Sequence, residues 1–560
     1  MKETIVIIFI LFSTIPAALS QELRLVVSDQ PLNTVLNTLN IEISFDDKAL
    51  SKYRISVSRI FKTPEEAIDF LLKDKPFKME KIGSVYVITP EVSQPQRESI
   101  PVVKREYHIS GELYDKSTGE PLPYAYIKTR KGTVVTNESG YFSIIQEANQ
   151  PISIQTQYMG FEPLDTILTT GKHKLGLSTK VFAMTEVLVQ PSPSAMMMQA
   201  GKSSGEMRIN HQIARYMPGS ADNSVFTLLR MMPGVRASGE PSEDIFVWGS
   251  NWGESRLTYD GFTIFGMKSF NDQIVSVNPY LVKDIRLQKG GYDASSGNRI
   301  GAIAEITGTE GNFTKPHIKA NISNYTANIY ASIPIKKTSA LSLAYRQTFY
   351  NLYSNKNTND SDGSHGKQTQ AGMYIEPYYD FGDLNIKYTS KVSDNDRFHI
   401  SLYGADDHFK FYVKQQKYEV DASEKNRQYG ASTGYNRVWN NGSNSRLLLS
   451  YSRLDATVDN VSGITDNQSE PLDLFNIKNS IQEISAKIEH NYNLGEKQKI
   501  QIGAQWQHYI SEFNANQTQI NNPSIYITDN VLLGKLSLKA GLRVDFLPVF
   551  LSNIVRVVIK

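Results

Sequence analysis

The chain has 560 residues, carries 59 Lys and Arg against 57 Asp and Glu for a net charge of +2, and contains 30 Tyr and 24 Phe but no Cys. That length exceeds one ordinary core, so several domains are expected. The missing cysteine excludes disulfides, thiol catalysis and cysteine metal sites, and balanced charge without a basic, aromatic-interleaved stripe argues against nucleic acid as a partner.

Residues 1–20 read as a secretory signal. "MKETIVIIFILFSTIPAALSQ" has Lys2, an apolar run from Ile5 to Phe12, Pro16, and the small-residue site Ala18-Leu19-Ser20 before Gln21. The run is too short to cross a bilayer core of ~30 Å, which takes about 20 apolar residues. No Cys follows it for lipid attachment. Every later apolar run is broken by charge, so the exported chain is either a soluble protein or a β-barrel.

Residues 21–90 mix α and β. "LRLVV" alternates as a strand, and "PLNTVLNTL" places Leu32, Val35, Leu36 and Leu39 on one helical face. In "PEEAIDFLL", Pro64 opens a helix, Glu65 and Glu66 fill its first turn, and Ala67, Ile68, Leu71 and Leu72 point inward. "FKMEKIGSVYVITP" closes the module as a hairpin about Gly83. In order, "QPLNTVLNTL", "TPEEAIDFLL" and "VYVITP" resemble the secretin/TonB short N-terminal domain. That resemblance implies an anti-sigma factor as partner of residues 21–90.

A polar linker, 91–106, leads to an all-β segment at 107–180. There "YHISGELYDKSTGEPLPYAYIKTRKGTVVTNESGYFSI" alternates apolar and polar residues between turns, as in a small sandwich. The series Gly111, Asp115, Gly119, Pro121, Thr136, Gly140, Phe142 and "YMGFE" resembles the carboxypeptidase-regulatory-like domain, and no His-x-x-Glu zinc pair accompanies it.

Residues 181–205 read as a second linker. Within "MTEVLVQPSPS", the β-prone run Thr185, Glu186, Val187, Leu188 and Val189 could add itself as a strand to a partner's sheet edge. The alternative is the last strand of the sandwich or the first of the next domain. "GKSSG", Gly201 to Gly205, fits the G-x-S-x-G pattern but lacks the flanking strand and helix that a nucleophile elbow needs. A phosphate loop ending at Ser203 would need Gly where Met196 stands.

From 206 to 312 the chain reads as α/β. In "YMPGSADNSVFTLLRMMPGV", a Leu-Leu helix ends in Met232-Pro233-Gly234-Val235. Asp260-Gly261 turns a hairpin between Leu257–Tyr259 and Phe262–Ile264, because both residues tolerate positive φ. Asn278-Pro279 precedes a strand into Lys289-Gly290-Gly291, and another runs from Ile303 to Thr307. This order resembles the plug domain of TonB-dependent outer-membrane receptors. Such receptors carry an Arg-Gly pair where this chain has Trp248-Gly249, which puts that residue's usual contacts in doubt. Pro233, Gly234, Asp260, Gly261, Gly290 and Gly291 are read as structural turns. Trp248, Trp252 and Phe265 are candidate ligand contacts, with core packing of the region's aromatics, Tyr259 and Phe262 included, as the alternative. By the same resemblance, 185–189 occupy the place of the TonB box.

From 313 to 560 the chain reads as barrel strands. Ile500, Ile502, Ala504 and Trp506 alternate with Gln501, Gly503, Gln505 and Gln507, and Leu536, Leu538, Ala540, Leu542, Val544 and Phe546 alternate with polar residues. One face suits lipid, the other a wet lumen. Short turns ("KKTS", "SDND", "NLGEKQ") alternate with long polar loops such as "NKNTNDSDGSHGKQTQAG". "NDSDG" lacks the acidic series and terminal Glu of a calcium loop. Alternation gives ten or eleven strands, fewer than the twenty-two of receptors that the chain resembles. With the ending "FLSNIVRVVIK", this implies an incomplete barrel, from a fragment or a premature stop.

The expected fold is multidomain and mainly β: a small α/β N-terminal signalling domain, a β-sandwich, an α/β plug and a partial antiparallel transmembrane β-barrel. The resemblance implies an outer-membrane receptor importing an iron chelate, cobalamin, glycan or peptide, with its N-terminal domains in the periplasm. Its partners would be a TonB-type energy-coupling protein, an anti-sigma factor and a surface lipoprotein. No catalysis, cofactor or metal is expected. A non-transporting signalling or surface-binding protein, and a soluble periplasmic β protein, are the alternatives.

Overall fold

The structure, a computed structural model, describes residues 23–90, 107–146, 148–180, 199–200, 205–211, 222, 224–235, 245–251, 253–266, 274, 276–297, 299–349, 367–368, 373–415, 418–464, 472–494, 498–533, 536–549 and 552–559. The signal read at 1–20, the linker at 91–106, the run Thr185–Val189, Gly201–Ser204 of "GKSSG", Trp252 and the "NDSDG" loop lie outside these residues. Two compact units make up the chain, Met1–Lys104 and Arg105–Lys560.

The first unit contains β1 (Leu23–Pro31), α1 (Leu32–Asn37), β2 (Ile43–Phe45), α2 (Asp47–Leu50), β3 (Arg54–Phe61), α3 (Pro64–Leu72), β4 (Phe77–Ile82) and β5 (Val85–Pro90). β1 pairs antiparallel with β3, while β5 lies between β2, its parallel neighbour, and antiparallel β4. The expected apolar faces form its core: Leu32, Val35, Leu36 and Leu39 of the first helical segment pack with Ala67, Ile68, Leu71 and Leu72 of α3. α3 starts where the sequence stops resisting it. Thr63 accepts the Glu66 N–H at 3.2 Å as N-cap, Pro64 needs no donor, and Glu65 and Glu66 face the positive end of the helix. Gly83, at φ +66°, turns the β4–β5 hairpin.

The second unit opens with a sandwich of β6 (Tyr107–Asp115), β7 (Tyr126–Thr129), β8 (Thr133–Val135), β9 (Tyr141–Gln146), β10 (Ile152–Gln157), β11 (Leu164–Leu168) and β12 (Gly171–Leu177). Its sheets run β11-β10-β7-β8 and β12-β6-β9. Their inner faces, with Ile109, Leu113, Ile127, Phe142, Ile154 and Phe161, close one core.

A six-stranded sheet follows, ordered β13 (Gln199–Ala200), β14 (Glu206–Asn210), β17 (Val282–Gln288), β18 (Ile303–Gly308), β15 (Arg256–Tyr259) and β16 (Phe262–Ile264), with helix α4 (Ser224–Arg230) preceding β15 in the chain. β15 and β18 are parallel; the other pairs are antiparallel. Val225, Phe226, Leu228 and Leu229 of α4 share a core with Leu257, Tyr259, Phe262, Ile285 and Ile306.

The remainder is a thirteen-stranded antiparallel sheet. Its strands are β19 (His317–Ile322), β20 (Thr326–Lys336), β21 (Ser339–Thr348), β22 (Lys367–Gln368), β23 (Met373–Lys391), β24 (Asp396–Gln415), β25 (Tyr418–Val438), β26 (Asn444–Ile464), β27 (Leu472–Leu494), β28 (Gln498–Phe513), β29 (Asn516–Leu533), β30 (Leu536–Val549) and β31 (Ser552–Ile559). Neighbours in sequence pair in succession, except that β22 folds back on β23. Alternation counts the long strands; β19, β22 and β31, at six, two and eight residues, account for the rest. Among the described residues, β19 and β31 end the order without pairing to each other. The two faces separate as alternation requires. Ile502, Trp506, Leu538 and Leu542 are exposed on one, whereas Gln507, Arg543 and Asp545 are buried on the other. The strand ends flanking the short connections, Lys336 and Ser339, Lys391 and Asp396, Val438 and Asn444, Leu494 and Gln498, and Leu533 and Leu536, share one end of the sheet; Thr348 and Met373, and Ile464 and Leu472, lie at the other. No described helix is long and apolar enough to cross a membrane, which says nothing of strands.

Candidate functional site

The site is built on the β15–β16 hairpin. Asp260 and Gly261 take φ of +46° and +98°, the two positive angles that a tight hairpin turn requires. Tyr259 and Phe262 then face each other with ring centroids 5.5 Å apart, and Phe262 stacks on Tyr403 of β24 at 6.0 Å. Both are core residues.

Asp260 does more than turn the chain. Its Oδ1 accepts from Lys387 Nζ and from the Gly308 N–H, each at 2.9 Å, and its Oδ2 accepts from the Ser401 hydroxyl at 2.9 Å. Burial, the largest single influence, pushes this carboxyl up, but the nearby Lys387 and His399 charges and the hydrogen bonds from Gly308 and Lys387 together outweigh it and hold the group below its ordinary value. Gly261 is equally constrained: a Cβ there would lie 2.5 Å from Leu448 Cδ2 of β26.

The rest of the hairpin is bonded to the buried, polar face of the large sheet. Arg256 Nη2 reaches Glu483 Oε1 of β27 at 2.7 Å, and the Thr263 hydroxyl donates to Glu483 Oε2 at 2.6 Å. The Thr263 N–H donates to Ser452 Oγ at 2.7 Å, and the N–H groups of Phe265 and Gly266 share Gln428 Oε1 at 2.7 and 3.0 Å. A second attachment centres on Asn278, which exchanges hydrogen bonds of 3.1 Å with Asn328 and donates to Asp383 at 3.1 Å. Asp383 is paired with the fully buried Arg346. A polar cavity of about 140 Å³ lies beside the turn, lined by Asp260, Lys387, Arg256, Glu305 and His399 among others.

The remaining turn residues converge on Trp248. The Trp248 N–H donates to the Gly234 carbonyl at 3.2 Å, and a Cβ at Gly290 would meet the indole at 3.0 Å. Lys289 Nζ sits 5.6 Å from the ring centroid and donates to the Pro233 carbonyl. Gly234 and Gly291 take φ of +80° and +57°. Trp248 itself is 69% exposed with φ +51°, so it is not core. Phe265 is half-buried beside Gln428. Sequence reasoning placed Asn278 before a strand without its bonds to the wall, and missed the strand residues Lys387, Glu483, Gln428 and Arg346. Their only signal was a polar residue at an inward position of an alternating strand.

Residues 109–189 match the CarboxypepD_reg-like domain, a match that includes the run Thr185–Val189, and residues 214–303 match the TonB-dependent Receptor Plug Domain. The chain carries the plug domain of TonB-dependent receptors. The six-stranded sheet with its hairpin is thus the plug, and the large sheet is the wall around it. No curated protein matches the chain. Solved structures similar to it include the siderophore receptor PirA of Acinetobacter baumannii, at 15% identity and TM-score 0.42 over 62% of this chain and 57% of that one. Another is the ferripyoverdine receptor of the Pseudomonas aeruginosa outer membrane, at 10% identity and TM-score 0.43 over 96% and 67%. A third is the ferric enterobactin receptor of Pseudomonas aeruginosa, at 15%, TM-score 0.44, over 61% and 58%. This chain therefore spans little more than half the length of the first. Such scores say nothing about what it binds. The plug match identifies the domain at 214–303.

Proposed function

We propose that this chain belongs to an outer-membrane receptor that imports a scarce solute (an iron chelate, cobalamin, a glycan or a peptide) by TonB-driven displacement of its plug. The observation that carries the reading is the attachment of the plug hairpin to the wall through discrete polar and ionic contacts, Asp260 to Lys387 and Arg256 to Glu483. Such contacts hold a plug in register and break one at a time under load. The wall's apolar outer face suits lipid, and the end bearing the short connections would face the periplasm, with the N-terminal domains. Trp248 and Phe265 are proposed as ligand contacts from the plug, Trp252 with them.

Residues 21–90 would form a secretin/TonB short N-terminal domain that signals to an anti-sigma factor, which their folding as a separate compact unit supports. Uptake by the full-length receptor of labelled ferric chelates, cobalamin and oligosaccharides, with and without a membrane energy source, tests the import reading. Deleting 21–90 should leave uptake intact and abolish the transcriptional response. Loss of uptake with normal insertion would contradict that modularity, and surface binding without any uptake would favour a non-transporting receptor.

A further inference from the structure

We propose that the β6–β12 sandwich is a reversible lid, clipped by three of its carboxylates over the short-connection end of the wall and the plug beside it. Glu112 pairs with Lys391 at 2.8 Å and with Arg397; Glu120 pairs with Lys283 at 2.9 Å; Glu138 pairs with Arg446. Each cation belongs to the plug or the wall. Glu120 also accepts from the Thr309 hydroxyl at 3.0 Å and the Glu310 N–H at 2.6 Å. Lys172 donates to Asn395 at 2.8 Å in the β23–β24 connection, and the Phe313 N–H donates to the Thr118 carbonyl at 2.9 Å.

The seam is bridged by ionic and polar contacts. The sandwich core and the plug core are separate clusters with no residue in common. Cavities of about 140, 270 and 270 Å³ are lined jointly by sandwich and wall residues. Undocking therefore exposes charges and opens these cavities while both cores stay shut, as in domain pairs that move. The Glu112 and Glu138 pairs are partly exposed and so are screened by salt, which makes the clip adjustable, while the buried Glu120–Lys283 pair is screened less. The lid's purpose rests on the import reading, because a solute leaving past the plug at this end would meet the sandwich. Its docking does not, and the test reads docking alone.

The natural chain has no cysteine, so a single engineered pair reports without background. A Cβ at Gly442 would stand 3.0 Å from the Ser143 Cβ, close to the ~3.5 to 4.5 Å that a disulfide spans. In outer-membrane vesicles, the chain carrying Ser143→Cys and Gly442→Cys should cross-link under mild oxidant at about 0.01 M KCl. The yield should fall about tenfold at about 1 M KCl, where the Debye length is ~3 Å. E138R should lower the low-salt yield, and adding R446E should restore it. Gly442 has φ +77°, so hydrogen exchange at the Phe313 amide of the unmutated chain gives a second reading, faster at high salt. A yield and an exchange rate indifferent to salt and to E138R would make the seam permanent. Fast exchange at low salt with no cross-link would mean that the sandwich is not seated. Either overturns the lid, whereas absent uptake with salt-dependent docking would sink only the import reading.

Discussion

Lys387 of β23 and Asp260 at the plug hairpin's tip form a buried ion pair, 2.9 Å between Nζ and Oδ1, across 127 residues of chain. The ammonium also donates to the Gly308 carbonyl at 3.0 Å, so one wall side chain holds two plug strands together. Removing one partner of such a pair strands the other charge, at a cost of about 3–5 kcal/mol. Asp260→Asn or Lys387→Met alone should therefore loosen the plug by that order in urea titration of detergent-solubilised receptor. The double variant should cost clearly less than the sum of the two. Additive losses would show that the pair is not coupled.

Gly261 is fixed by two independent constraints. Its φ of +98° costs a β-carbon about 1–2 kcal/mol, and contact with Leu448 adds about 1–3 kcal/mol of overpacking. Gly261→Ala should be destabilising in thermal melts, and Leu448→Ala in the same chain should recover the steric part only. Full recovery would mean that backbone strain is negligible here.

Asp284 supplies a pH dependence. Burial pushes its carboxyl up to about 6, against the pull of Arg208 and Lys283. A carboxyl raised in the folded state binds its proton more tightly there than when unfolded, so its contribution is fullest below about pH 4 and is lost as pH rises through 6. Glu305, with burial opposing but Arg286, Lys487 and Arg446 together lowering it to about 2, works the other way only in stronger acid. The melting temperature should therefore drop between pH 5 and 8 by more in the natural chain than in Asp284→Asn. Identical pH profiles for the two would remove Asp284 as the titrating group.

The sequence carries the architecture because period-two alternation and turn chemistry are local. Trp506 outside and Gln507 inside follow from their neighbours, as does the turn at Asp260-Gly261. What alternation cannot name is the partner of an inward polar residue. Lys387 and Glu483 each sit at an inward position, and only the closing of the wall around the plug decides that they meet Asp260 and Arg256. Trp248 is illegible for another reason: a positive φ at a large residue is set by its tertiary setting, here the Lys289 ammonium and the glycines at 234 and 290. Neither core nor ligand contact could be read from its identity.

Energy coupling is the step on which the import reading turns, and Thr185–Val189 is where it can be tested. The run alternates Val187 and Val189 with polar or bulkier residues ahead of the Pro-Ser stretch, as a strand that docks by β-augmentation would. The CarboxypepD_reg-like match ends at residue 189, so a strand belonging to the sandwich competes with a docking strand for the same residues. Proline at Val187 removes a backbone donor and disfavours either pairing, but the two fail differently. A docking strand lost to Val187→Pro should abolish energised uptake by the full-length receptor while surface ligand binding and outer-membrane abundance stay near normal. A sandwich strand lost to the same change should lower abundance or melt the sandwich. Undiminished uptake would remove these residues from energy coupling altogether.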